Sequence, residues 1–205
     1  MKRCVIFGAA PVVDPQPLGR YLRDDDWFVA ADGGNRLAQA LGILPALTVA
    51  DHDSSDSAES CGECVELPIE KDVTDTRAAM DIAYERGYRD FLLLGCMGGR
   101  MDHTVANLLS ARQMTEKGCS VVLADEKNAV TVLLPSEYPL PQDSAFSVFS
   151  MTDCTEGLTM RGVQYPLEGF SLRADDPLCV SNHVIAAGAT LSFENGVLLL
   201  MFSED

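Results

Sequence analysis

Apolar positions fall into two regimes along the chain. From Lys2 to about Leu134, short β-branched or aliphatic runs alternate with stretches of helical period. The runs "RCVIFG", "WFVAAD", "LTVAD", "DFLLLG", "SVVLAD" and "AVTVLL" read as strands, being short β-branched or apolar runs, all but the last closed by Gly or Asp. Between them, Arg36 to Leu41, Thr76 to Arg86 and Thr104 to Lys117 carry apolar residues at helical spacing. Gly87 and Gly118 follow the last two in the C-cap position. Continuous rather than alternating strand runs, interleaved with helices, predict a mainly parallel, Rossmann-like α/β sheet with helices on both faces.

The segment "PSEYPLPQD", 135–143, holds three prolines in nine residues and reads as a linker. Beyond it no helical period appears. The runs "SAFSVFSM", "EGLTMRG", "PLCVSN" and "ATLSFENGVLLLMF" are strand-like, with "ENG" as a hairpin signal. The expected organisation is an α/β domain over 1–134, a linker over 135–143 and an all-β sandwich over 144–205. A β domain of about 60 residues is marginal alone and gains from docking or dimerisation.

Composition narrows the functions available. Hydrophobic residues make up 47% of the 205, enough for an ordinary core, whereas 31 acids against 15 bases leave a formal charge of −16. That balance argues against nucleic acid or an anionic membrane as the main partner, and requires metal ions if the substrate carries phosphates. No run approaches the roughly 20 apolar residues of a membrane span. The N-terminal "MKRCVIFG" reads as a first strand rather than a signal peptide, so the expected compartment is the cytoplasm. Seven cysteines, odd in number and mostly inside apolar runs (Cys4, Cys96, Cys119, Cys179), suit a reducing environment and read as small buried hydrophobes. "CGEC", Cys61 to Cys64, has dithiol spacing but lies in a polar stretch with no second ligand pair for zinc, and is read as structural.

Chemistry-bearing residues collect where strands end, which in open α/β sheets is where ligands bind. Asp32, Gly33 and Gly34 follow the second strand, a turn that lets backbone N–H groups approach a phosphate. Asp51 and Asp53 close the next strand and share a side of an extended chain, where their charges repel unless a cation sits between them. "KDVTDT" places Thr74 and Asp75 before a helix, and "GCMGGRMDH" places Gly98, Gly99, Arg100 and Asp102 after a strand. Singly these are turn or cap residues. Together on one edge, hard oxygen donors without His or Cys suit Mg²⁺ shared with substrate phosphates.

Five blocks in this order, "ADGGNRLAQALGILPALTVADHDSS", "KDVTDTRAAMDIA", "LLLGCMGGRMDHTVANLLS", "GLTMRGVQYPL" and "VSNHVIAAGATLSFENGVLLL", resemble the thiamine pyrophosphokinase family over almost the whole chain. The resemblance implies a homodimer whose active sites lie between one subunit's α/β domain and the other's β domain. It implies pyrophosphoryl transfer from MgATP to the hydroxyl of thiamine, releasing AMP. Carried over by position, the metal and phosphate-handling acids are Asp51, Asp53, Asp75 and Asp102, which with Arg100 form the catalytic set. Asp32, Gly33, Gly34, Thr74, Gly98, Gly99 and Arg100 fall on the ATP side, and Ser181, Asn182 and Asp75 on the thiamine side. Asp75 and Asp102 are both candidates to accept the hydroxyl proton. The chain departs from the family pattern at Ala46, Ala50, His52 and His183, and Ala50, in place of Gly, bears most on phosphate approach. Two alternatives share the residues: another Mg-dependent phosphotransfer enzyme, and a non-catalytic MgATP or thiamine diphosphate sensor.

Overall fold

A computed structural model describes residues 2–51, 62–67 and 73–204, with Asp51, Glu66 and Leu67 described by backbone alone. The chain forms two compact units, Met1–Glu126 and Lys127–Asp205. The first is built on six parallel strands: β1 (Arg3–Phe7), β2 (Trp27–Ala31), β3 (Leu47–Asp51), β4 (Glu63–Leu67), β5 (Asp90–Leu94) and β6 (Ser120–Ala124). Their order across the sheet is β6-β5-β1-β2-β3-β4. All five residues of β1 and four of the five in β5 are buried. Helices cover both faces of such a sheet, which is why these runs show no polar alternation.

Three helices pack on this sheet: α1 (Asn35–Ala40), α2 (Asp75–Glu85) and α3 (Met101–Glu116). Helix α2 is started by Thr74, whose Oγ1 accepts the Arg77 N–H at 3.2 Å, and it buries Ala78, Ala79, Met80 and Ala83. It ends at Gly87 (φ 92°), where the Tyr88 N–H reaches back to the Ala83 carbonyl at 3.0 Å. Gly118 (φ 84°) closes α3 in the same way. The predicted helices are present, and five of the six predicted strands lie in the parallel sheet; the sixth, "AVTVLL", is an antiparallel strand of the second unit. Strand β4 was not anticipated, and it places Cys64 in the sheet rather than in a polar loop. Cys64 is disulfide-bonded, unlike Cys4, Cys96, Cys119, Cys154 and Cys179, which are free. Cys4, Cys96, Cys119 and Cys179 are buried, as their apolar settings suggest.

The second unit is a sandwich of antiparallel sheets. One holds β12 (Asn182–His183), β9 (Ala145–Ser150), β14 (Leu198–Ser203) and β7 (Asn128–Leu133) in that order. The other holds β11 (Leu167–Arg173), β10 (Cys154–Arg161), β13 (Thr190–Ser192) and β8 (Glu137–Pro139). One core joins them, with Phe146, Val148, Leu198 and Leu200 from the first sheet against Leu158, Met160, Leu172 and Leu191 from the second. Three local expectations change here. The division falls at Glu126/Lys127 because β7 pairs antiparallel with β14. The proline-rich "linker" contributes β8, an edge strand where a missing N–H costs no ladder bond. The "ENG" turn makes no hairpin: it carries the chain from β13 in one sheet to β14 in the other.

Candidate functional site

The sheet order reverses between β1 and β5, because β2, β3 and β4 run out on one side of β1 while β5 and β6 run out on the other. At such a switch point two successive loops leave in opposite directions and open a crevice beyond the strand ends. A cavity of about 530 Å³ lies there, between Ala9–Pro11 after β1 and Gly95–Arg100 after β5. Its floor is a close glycine contact. The Gly8 N–H donates to the Leu94 carbonyl at 2.8 Å, and a Cβ on Gly8 would meet the Gly95 oxygen at 2.6 Å. The Cys96 thiol sits in the same wall, fully enclosed, and burial pushes it up to about 12. It is not a nucleophile at neutral pH.

Around this floor the chain sets polar groups at the N-terminal ends of short helices. Asp32 has φ 52°, a left-handed conformation that Asp tolerates, and lines the cavity at the β2 end. Gly34, two residues on, approaches β1 so closely that a Cβ would lie 1.9 Å from the Phe7 carbonyl oxygen. Thr74 and Asp75 line the cavity from the first turn of α2, where the helix dipole favours a carboxylate. Gly98 and Gly99 (φ 80° and 61°) turn the chain toward α3, and Arg100 lies at its start.

Arg100 and Asp102 hold each other through two bonds, Nε to Oδ1 at 3.1 Å and Nη2 to Oδ2 at 2.5 Å. The guanidinium, helped by the His103 N–H, pulls the Asp102 carboxyl down to about 2. Both side chains are well exposed, at 72% and 63%. Solvent screens such a pair, so either member can change partners at small cost. The arginine is thus available to phosphate oxygens and the aspartate to a cation.

Of the residues singled out from sequence, Asp32, Thr74, Asp75, Gly98, Gly99 and Arg100 line this one cavity, and Asp102 is bonded to Arg100 beside it. Gly33 faces the adjoining cavity with Arg36 and Pro11, and Gly34 serves packing. Asp51 ends β3 at the same end of the parallel sheet, whereas Asp53, His52 and Cys61 fall outside the described residues. Ala50 lies within β3 at 7% exposure and is not among the non-glycine residues with positive φ, so its Cβ is accommodated without backbone strain. Among the described residues no three His, Cys, Asp or Glu converge on a metal position. His103 and Asn107 line the cavity but were not singled out. They sit four apart in "DHTVAN", one face of a helix, which is the signal that marks them.

The second unit has its own cavity, about 440 Å³, walled by Met160, Tyr165, Leu178, Val180, Ser181 and Asn182. Ser181 takes φ 57°. Asn182 is 2% exposed and its amide makes three bonds: Oδ1 accepts the Tyr165 and His183 N–H groups at 3.0 and 2.9 Å, and Nδ2 donates to the Tyr165 carbonyl at 2.9 Å. Its work is to hold the Tyr165 wall in place. The cavity is mainly apolar with an aromatic side, the lining of a site for a small organic molecule.

A doubly wound unit with an acid, glycine and arginine rim at its switch point is thus followed by a β-sandwich with an aromatic-walled cavity, one candidate ligand site in each unit. Residues 18–123 match the model of the thiamin pyrophosphokinase catalytic domain, and residues 131–198 that of the thiamin pyrophosphokinase vitamin B1 binding domain. The chain belongs to the thiamin pyrophosphokinase family, whose activity is ATP-dependent pyrophosphoryl transfer to thiamine, giving thiamine diphosphate. It is 28% identical to the thiamine pyrophosphokinase of Bacillus subtilis (strain 168), each chain being covered completely. Among solved structures it resembles thiamin pyrophosphokinase from Geobacillus thermodenitrificans (27% identity, TM-score 0.85, 100% and 98% coverage). It also shares the fold of the B. subtilis thiamine pyrophosphokinase structure (24% identity, TM-score 0.86, complete coverage of both).

Proposed function

We propose that the cavity at the β1/β5 switch point seats ATP and that the sandwich cavity holds thiamine. The observation that carries the reading is the convergence of Asp32, Thr74, Asp75, Gly98, Gly99 and Arg100 on one crevice from three separate strand ends. The thiamine hydroxyl oxygen attacks the β-phosphorus of ATP, the bond from that phosphorus to the α,β-bridging oxygen breaks, and AMP leaves. Arg100 leaves Asp102 to bind phosphate oxygens, and the glycine turn lets backbone N–H groups approach them. Asp75 or Asp102 takes the hydroxyl proton.

Magnesium fits the donor set, since the rim offers carboxylate oxygens and the described cavity lining offers no thiolate poised for a softer ion. Asp51, Asp53, Asp75 and Asp102 would hold it. When bound it neutralises phosphate charge, which a protein of net charge −16 needs in order to accept a triphosphate. The same acidity favours the cationic thiazolium ring.

The active unit is a homodimer, with one subunit's nucleotide cavity completed by its partner's sandwich cavity. Exposed apolar residues on both units support this: Met101, Val105 and Leu109 along α3, and Tyr165, Leu178 and Ile185 on the sandwich. The working compartment is the cytoplasm. Purified protein with thiamine, ATP and MgCl₂ gives AMP and thiamine diphosphate in equal amounts by chromatography, and chelation with EDTA stops it. ADP with thiamine monophosphate would establish an ordinary kinase instead, and ligand binding without product would establish a sensor.

A further inference from the structure

We infer that Asn107 is a ligand-binding residue, its side-chain carbonyl accepting a hydrogen bond from a neutral N–H or O–H group of the nucleotide. The inference rests on reading the switch-point cavity as the seat of ATP. Asn107 is 5% exposed, lines that cavity, and lies one turn, about 6 Å, further into α3 than His103 on the same face. Its Nδ2 donates to the Cys96 carbonyl at 2.8 Å. A carbonyl can only accept, so this bond fixes the amide orientation and turns Oδ1 away from Cys96.

Oδ1 has no partner among the described residues, and the one closed-off side-chain atom without a partner there is Thr115 Oγ1. Among the described residues the Asn107 oxygen is therefore still open, on a residue otherwise buried, at the wall of the cavity. Leaving such an acceptor unpaired when a ligand shuts out water is costly, and a ligand that supplies a proton removes the cost. Phosphate oxygens supply none, and Arg100 and the glycine turn already serve them. What remains of a nucleotide is the ribose hydroxyls and the exocyclic amine of the base. One of these is the donor.

The test is a cycle of substrate and side-chain deletions. Binding and KM are measured for ATP, 2′-deoxy-ATP, 3′-deoxy-ATP and purine riboside triphosphate, which lacks the amine, on wild type, Asn107→Ala and Asn107→Asp. On wild type one analogue binds about tenfold more weakly than ATP, the loss of one hydrogen bond to a buried partner. Asn107→Ala loses about the same with ATP and nothing more with that analogue. Asn107→Asp keeps an acceptor but not the Cys96 bond, and retains the discrimination. The inference is overturned if all three analogues match ATP within about twofold on wild type, a comparison that needs no variant to fold. It is overturned equally if the penalty persists undiminished in Asn107→Ala, or if Asn107→Asp abolishes it, since then the Cys96 tether alone matters. ATP binding to wild type without turnover of thiamine would sink the enzymatic reading while leaving this cycle decisive. No ATP binding at all would remove the nucleotide seat and this inference together.

Discussion

Removing the Asp26 carboxylate should unfold the first unit at markedly lower temperature without touching the chemistry. Arg3, the first residue of β1, binds Asp26 with both ends of its fork, Nε to Oδ1 at 2.9 Å and Nη2 to Oδ2 at 2.7 Å, and donates also to the Tyr21 carbonyl at 2.6 Å. Asp26 Oδ2 accepts the Arg23 N–H as well, at 2.8 Å. The two side chains are 9% and 0% exposed. Asp26→Ala strands a buried guanidinium, which costs about 3–5 kcal/mol. For a unit of this size 1 kcal/mol moves the melting temperature by about 4 °C, so the drop is about 12–20 °C by calorimetry. Arg3→Met with Asp26→Leu removes both charges and recovers most of that loss, because the pair's attraction largely offsets its own desolvation. Arg3 is four residues, about 13 Å, from Phe7 at the cavity end of β1, so the folded variants keep wild-type kcat at 25 °C. Melting of Asp26→Ala within about 3 °C of wild type would refute the reasoning, as would a fall in kcat in the fully folded variant.

Arg100→Ala should behave in the opposite way, lowering kcat/KM for ATP by about 10²–10³ through lost charge stabilisation while leaving the melting temperature unchanged, since its pair with Asp102 is solvent-exposed. Steady-state kinetics beside a thermal melt separate the two. Gly34→Ala places a Cβ 1.9 Å from the Phe7 oxygen and forces α1 off β1, so soluble yield or melting temperature falls by the equivalent of about 1–3 kcal/mol, measured by denaturant titration. With its thiol raised to about 12, Cys96 is thiolate in about one molecule in ten thousand at pH 8, so native protein treated with iodoacetamide keeps Cys96 unmodified by mass spectrometry and retains activity. Labelling rises with pH, and fast modification at pH 8 would contradict the assigned burial.

What could be read from the chain depended on how far each element obeys its own local pattern. The inner strands β1 and β5 are buried on both faces, so "RCVIF" and "FLLL" declare themselves. Strand β4 pairs on one side only, with β3, and its "ECVEL" has two acids in five residues and no period-2 alternation, a composition that reads as loop. Strand β8 hid behind prolines for the same edge-strand reason. Strand β11 escaped notice because most of "LEGFSLR" faces outward, with only Leu172 fully buried. The acids of the rim read singly as turn or cap residues, and only their recurrence at successive strand ends set them apart. Asn107 was not, since a helical Asn is ordinary until its burial, and an oxygen without a partner among the described residues, are known.

Three described non-glycine residues have positive φ, Asp32, Asp143 and Ser181, and two of them line cavities, one in each unit. A left-handed residue with a Cβ costs free energy that the surrounding structure must over-determine. At Asp32 the constraint is visible: Gly34 touches the Phe7 carbonyl and admits no Cβ, so the chain leaving β2 has one path into α1. At Ser181 it is the neighbouring Asn182 amide, bonded three times to the backbone of Tyr165 and His183. In each unit a residue under strain is thus held by a packed neighbour that is itself buried. Such fixed groups suit the transfer reaction proposed above, because phosphoryl chemistry draws its rate from groups fixed before the substrate arrives. It follows that relieving the strain while keeping the fold, as Asp32→Gly does, should raise or preserve stability and lower kcat. An equal loss of both would mean that Asp32 serves packing rather than the site.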